Sequence, residues 1–436
     1  MNWQEEYKRR LCSAEEAVQH IHSGDTVFLG HAVAESSLLV DAMVQNATAY
    51  QDVRIIHMTN LGSGAYTQPG MESHFHVSPF FLGATVRAAV AEGRGDFIPC
   101  FFHEIPQLIR ERRVPCDVRM TQVSPSDEKG YCSLGVSADY TYQALKSART
   151  VIAHVNDQYP YTFGTKVHVT ELDYIVEQSA PLYESKPPKI GEVEEKIGRC
   201  CASLIRDGAT LQLGIGAIPD AVMMFLGDKH DLGIHSEMIS DGTMELYQKG
   251  VITNQRKNLD RGKMTITFAM GTKKLYQFLD KNPDVLVKPV DYVNHPVTIM
   301  KEHDMISINS AIQVDLQGQV DAEAIGLRQF SGVGGQVDFI RGAAMGGGTS
   351  IIAMPSTTQK KDGTLISKIV PFLDQGAPVT TSRNDVDYII TEYGIAHLKG
   401  ETLRDRAWAL ISISHPSVRD SLAEEFERRF HQNYRA

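Results

Sequence analysis

Apolar and polar positions along this chain follow two rhythms. Before His22 the apolar residues Ala14, Ala17, Val18 and Ile21 recur at helical spacing and share one face. Residues 23–30, SGDTVFLG, then read as a turn feeding a short strand that ends in glycine. The same order returns at residues 207–214, DGATLQLG, 184 residues downstream. Each octet follows a helical segment, and each precedes an apolar helix after a short turn. The first of these helices is expected at residues 37–43 and the second at 220–225, with Pro219 set for its first turn. A duplicated α/β unit accounts for both octets. Chance recurrence of a common helix–turn–strand pattern is the alternative.

Between the octets, strand candidates at residues 53–58, 117–123 and 150–155 alternate with helix-like segments such as 107–113. Later strands are expected at 263–268, 305–310, 349–354 and 386–391, and a charged helix at 417–430 closes the chain. Such alternation points to parallel sheets covered on both faces. Prolines 187 and 188 sit in a charged, extended stretch that suits a linker. The expected organisation is α/β, with two similar open and mostly parallel domains, residues 1–185 and 186–436.

A length of 436 residues is consistent with two domains, and 42% hydrophobic with 22% charged residues describes a globular protein. The net charge of −10 argues against a nucleic-acid partner, which would require a basic face. Cys12, Cys100, Cys116, Cys132, Cys200 and Cys201 show neither a zinc-like nor a redox-like C-x-x-C spacing. With no apolar run long enough for a membrane span and no signal-like start, a cytoplasmic enzyme away from membranes is expected.

The chemistry concentrates in residues 214–242. After the apolar run 210–213, Gly214, Ile215, Gly216, Ala217 and Ile218 form a tight turn where glycines let a ligand approach the backbone. The free N–H groups of the following helix favour an anion there. A third glycine of a dinucleotide fingerprint is missing, because Pro219 stands in its place. Glu237 is a single acid between apolar neighbours at the end of the next strand. From spacing alone it is either a functional carboxylate or an ordinary strand-end acid.

Four segments, GIGAIPDAV (214–222), GIHSEMISDG (233–242), SGVGGQVDF (331–339) and VDYIITEYGIAHLKGETLRDRA (386–407), occur in this order over nearly the whole chain. They resemble the class I CoA-transferases, and more narrowly the acetyl-CoA hydrolase/transferase branch that includes 4-hydroxybutyrate and butyrate CoA-transferases. The resemblance implies two domains of CoA-transferase type and a ping-pong exchange of coenzyme A between short-chain carboxylic acids through a glutamyl-CoA thioester. It implies Glu237 as nucleophile and Gly335 as a backbone donor to the developing oxyanion and a contact to coenzyme A. Gly214, Ile215, Gly216, Ala217, Ile218 and Ile312 fall along coenzyme A. It also implies a homodimer, acyl-CoA and carboxylate substrates, no metal and no cofactor beyond the substrate coenzyme A. His31, His57 and the loop from Ser124 are candidates for acyl-pocket walls or for plain packing. Acyl-CoA hydrolysis and a non-catalytic ligand-sensing module are the rival functions.

Overall fold

The computed structural model describes residues 2–302 and 304–434. The chain divides into two compact units, Met1–Lys186 with Lys263–Asn294, and Pro187–Gly262 with His295–Ala436. The expected two-domain division at 185/186 differs from this in one segment, since residues 263–294 return to the first unit. The return has a backbone cause. Strand Val285–Val287 pairs in parallel with Met264–Ala269 on one side and with Phe163–Gly164 on the other. Main-chain bonds from Ala138 to Thr267 (3.0 Å) and from Ala269 to Val136 (2.8 Å) fasten the segment further.

The first octet places β1 (Thr26–Phe28) at the centre of a six-stranded sheet. With β2 (Val53–Ile56), β3 (Phe75–Val77), β4 (Val118–Val123), β5 (Thr150–Val155) and β6 (Tyr174–Glu177), the order is β3-β2-β1-β4-β5-β6. Every neighbouring pair is parallel. All residues of β4 and β5 are buried, as expected for strands with helices on both faces. The core of this unit gathers Val27, Leu39, Val53, Ile55, Met120 and Ile152. Helix α1 (Ser37–Gln45) covers it, capped by the Ser36 hydroxyl, which accepts from Leu39 N–H at 3.3 Å.

The second octet repeats the plan. β7 (Thr210–Leu213) lies between β8 (Gly233–Ile239) and β9 (Met305–Asn309), followed outward by β10 (Thr349–Ala353), β11 (Tyr388–Thr391) and β12 (Gly394–His397). In both units the opening strand is central, the next strand in the chain lies on one side, and later strands extend from the other. Only β11 and β12 pair antiparallel among these, as a hairpin. Helix α2 (Glu192–Ser203) precedes β7, α3 (Ala217–Met224) follows it, and α4 (Gln336–Met345) precedes β10. α3 begins three residues earlier than its expected start at 220. Gly216, at φ 115°, makes the turn at once, so Pro219 becomes the third helical residue rather than the entry.

Candidate functional site

The carboxyl edge of the second unit's sheet is where the chain can hold a ligand. β7 runs through α3 to β8 on one side, whereas β9 runs through α4 to β10 on the other. With right-handed crossovers, α3 and α4 then cover opposite faces and leave a crevice between the ends of β7 and β9. A cleft of about 340 Å³ lies there, lined by residues 214–219, by Ile308, Asn309 and Ser310, and by Glu194 of α2. Five of the residues assigned to coenzyme A from sequence therefore sit together. A Cβ added at Gly214 or Gly216 would meet nothing within 4 Å, so the backbone is open to an approaching molecule. Among the described residues no side chain caps the first turn of α3, which leaves its N–H groups facing the crevice.

Glu237 is the fifth residue of β8 and is half-buried. Thr210 and Leu211 pair with Gly233 and Ile234, and the Ser236 hydroxyl donates to Leu213 O at 3.2 Å. Counting on by one residue sets Glu237 level with Gly214, at the open end of the strand. Side chains alternate along a strand, so Glu237 shares a face with His235. His235 is fully buried, and its ring centroid lies 6.3 Å from that of Phe339 on α4. α4 connects two parallel strands and so starts at their carboxyl edge, on the face that carries Glu237.

That start is Gly335. The glycine-rich segment 331–335 leads directly into a helix. Gly334 takes φ 56°, a left-handed angle that glycine adopts without strain, and no side chain caps the helix after it. An uncapped helix start thus meets the same edge as Glu237 and Gly214.

Ile312 stands apart from the cleft. It is half-buried, its N–H bonds to Asp321 O at 2.8 Å, and the cleft lining reaches Ser310 and stops short of it. The lining residues not anticipated from sequence are Glu194, Ile308, Asn309 and Ser310. Asn309 and Gln212 exchange side-chain amide bonds at 3.1 and 3.4 Å across β7 and β9. The polar end of the expected strand 305–310 was the available signal for Asn309 and Ser310. Glu194 comes from a helix far back in the chain and left none. Among the described lining residues Glu194 carries the one charge, which suits the neutral pantetheine arm of coenzyme A better than its phosphates. In the first turn of α3, burial raises the Asp220 carboxyl above its ordinary value, and Asp241 and Glu245 add to it.

The first unit has a smaller cleft of about 220 Å³, lined among others by Ala32, Val33, Glu35 and Ser36, but the candidates singled out from its sequence are held by neighbours. His31, directly after Gly30, is buried with Nδ1 2.8 Å from Asp139 and its ring 4.4 Å from Phe268. Burial alone would raise Asp139. The bond and charge from His31, then Ser137 and Thr141, outweigh it and hold the carboxyl below its ordinary value. His57 accepts from Tyr66 OH at 3.0 Å and donates to Met58 O, and burial pushes it down to about 4. Ser124 donates to Pro125 O and accepts from Ser133 N–H, both at 2.9 Å. Each of these three candidates is thus engaged in the packing of its own unit. Among the described residues no group of three or more His, Cys, Asp or Glu side chains could hold a metal ion, and no helix is long and apolar enough to cross a membrane.

Two parallel α/β units, with a carboxylate and two glycine turns at one sheet edge, define the architecture of a CoA-transferase. Residues 1–182 match the acetyl-CoA hydrolase/transferase N-terminal domain, and residues 271–426 match its C-terminal domain. The chain is 57% identical over 432 residues to 4-hydroxybutyrate coenzyme A transferase of Clostridium kluyveri, covering 99% of this chain and 100% of that one. It is 36% identical to butyryl-CoA:acetate CoA-transferase of Anaerostipes caccae, covering 98% of each. The structure of 4-hydroxybutyrate CoA-transferase from Porphyromonas gingivalis superposes with a TM-score of 0.85 at 42% identity, over 98% of this chain and 100% of that one. RipA from Yersinia pestis gives a TM-score of 0.92 at 37% identity, over 99% and 100%. The chain belongs to the acetyl-CoA hydrolase/transferase family and is an enzyme that transfers coenzyme A between carboxylic acids.

Proposed function

We infer that the enzyme exchanges coenzyme A between 4-hydroxybutyryl-CoA or butyryl-CoA and acetate, by a ping-pong route through a thioester on Glu237. A Glu237 oxygen attacks the acyl-CoA carbonyl, giving a mixed anhydride and CoA thiolate. The thiolate attacks the glutamyl carbonyl, forming glutamyl-CoA and releasing the first acid. The second acid attacks that thioester, expelling CoA thiolate, which then attacks the new acyl carbonyl and returns the glutamate. Each attack puts charge on a carbonyl oxygen. The Gly335 N–H, at the start of α4, is the donor assigned to it, and removing one such donor costs roughly 10²–10³ in rate.

In this reading residues 214–218 hold the pantetheine arm of coenzyme A, and Ile312 lies beyond it along the same edge. No metal or further cofactor takes part, and the enzyme acts as a cytoplasmic homodimer. The observation that carries the reading is the strand register that sets Glu237 level with the open Gly214 turn. Initial-rate kinetics test it. Varying acetate at several fixed butyryl-CoA concentrations should give parallel reciprocal plots, and intersecting plots would reject the ping-pong route. Release of free coenzyme A at a rate indifferent to added carboxylate would identify a hydrolase instead.

A further inference from the structure

Between β9 and α4 the chain makes a detour that the reaction above does not use. Strand Gln313–Asp315 pairs antiparallel with Val320–Asp321, and a small hairpin, Ala324–Ile325 with Arg328–Gln329, leads to the glycine-rich segment. Asp321 sits at the root of this hairpin and is fully buried. Its Oδ1 accepts two main-chain N–H groups, from Glu323 at 3.0 Å and from Ala324 at 3.1 Å. The carbonyl of Glu323 in turn accepts from Phe330 N–H at 2.8 Å and Ser331 N–H at 3.0 Å. The Ser331 hydroxyl bonds to Ala322 O at 3.4 Å, and Ala322 N–H is held by Thr380 Oγ1 at 3.0 Å. Four residues beyond Ser331 comes Gly335.

Stability alone does not account for a carboxyl at this position. Its second oxygen, Oδ2, is buried with no hydrogen-bond partner among the described residues, a loss that a folded protein ordinarily avoids. Burial raises Asp321 above the usual carboxylate range, with nearby Asp374 adding to the effect and the two N–H bonds opposing it. Glu323 is raised by its own burial and by Asp321. Two carboxyls packed this way disfavour ionisation of each other, yet Asp321 Oδ1 keeps both of its main-chain bonds.

We propose that Asp321 is a positioning residue for the oxyanion donor: by fixing the 321–324 turn, it sets where segment 331–335 stands and so where the Gly335 N–H points. The idea rests on the CoA-transfer reading above. Asp321 touches no substrate in it, and acts through Glu323, Phe330 and Ser331.

Exchange between butyryl-CoA and acetate by the full-length enzyme tests the proposal. Asp321→Ala should remain folded by circular dichroism yet lose kcat by roughly the 10²-fold of a misplaced oxyanion donor, with KM for butyryl-CoA within about twofold. Asp321→Asn keeps an oxygen for both N–H groups and should restore kcat to within about threefold of wild type. Should Asp321→Ala not fold, Thr380→Val loosens the same turn from its other anchor and should lower kcat with KM unchanged. A folded Asp321→Ala or Thr380→Val enzyme with wild-type kcat overturns the proposal, as does a loss carried by KM alone. If instead the wild type shows no exchange at all, the transfer reading fails, and the two failures are told apart.

Discussion

The turns after β1 and after β7 follow the same helix–turn–strand pattern yet have different surroundings. Three matched positions carry the difference: Gly30 and Gly214, His31 and Ile215, Glu35 and Pro219. A Cβ on Gly30 would lie 2.1 Å from Ala34 O, whereas one on Gly214 would meet nothing. His31 is locked to Asp139 inside the unit, but Ile215 is 44% exposed. Glu35 accepts from Leu61 and Gly62 N–H at 3.0 and 3.3 Å and lines a cleft of about 220 Å³ with them, while Pro219 lines the larger cleft of about 340 Å³. At Gly30 the first turn is closed by its own main chain, whereas at Gly214 the second is clear. A glycine after a strand therefore means close packing in one copy and ligand access in the other, and only the surroundings decide which.

Substitutions at the matched positions should separate the two roles. The largest effect on stability is expected from His31→Ala, which strands the buried Asp139 carboxylate and should cost about 3–5 kcal/mol in urea unfolding. Ile215→Ala should leave stability within about 0.5 kcal/mol and instead raise KM for the acyl-CoA. The His31 effect depends on pH. Because the folded state holds Asp139 below its ordinary value, its contribution is present above the unfolded value of about 3.9 and is lost as pH falls through the lower folded value. Acid should therefore shrink the gap between wild type and His31→Ala.

Next in size is Gly30→Val, where the added carbons meet main chain and should cost about 1–3 kcal/mol in thermal unfolding. Gly214→Val should unfold near the wild-type temperature while losing acyl-CoA binding. If both glycine variants lost stability equally, the contrast between a closed and an open turn would fail.

The smallest effect is expected from Glu35→Gln. Burial raises Glu35, and the Leu61 and Gly62 N–H bonds only partly oppose it. Its contribution is therefore full below the unfolded value of about 4.3 and is lost as pH rises through the higher folded value. Glu35→Gln cannot ionise, so in unfolding measured across pH its stability relative to wild type should improve as pH rises. A difference that stays constant with pH would contradict this.

The repeat of the two octets was readable because a short strand bounded by glycines leaves a local signature at residues 30 and 214. Residues 214–218 carry a glycine marker of their own, whereas Glu237, in the interior of β8, and Gly335 were singled out only by the resemblance of segments 233–242 and 331–339 to the family. Long-range geometry was not readable. Residues 263–294 pack with the first unit because of pairing to Phe163–Gly164, a contact more than a hundred residues away that no local pattern announces. The start of α3 was misplaced because a helix entry at Pro219 is a common local choice, while the actual entry depends on Gly216 adopting φ 115°. Glu194 enters the cleft only because α2 packs beside α3.

Trapping the enzyme with its substrate tests the central assignment most directly. Incubation with butyryl-CoA followed by borohydride, then peptide mass spectrometry, should show reduction of one glutamate in the peptide spanning 233–239, at Glu237, and the Glu237→Gln enzyme should bind butyryl-CoA unmodified. Modification at another carboxylate, or full exchange activity in Glu237→Gln, would contradict the account.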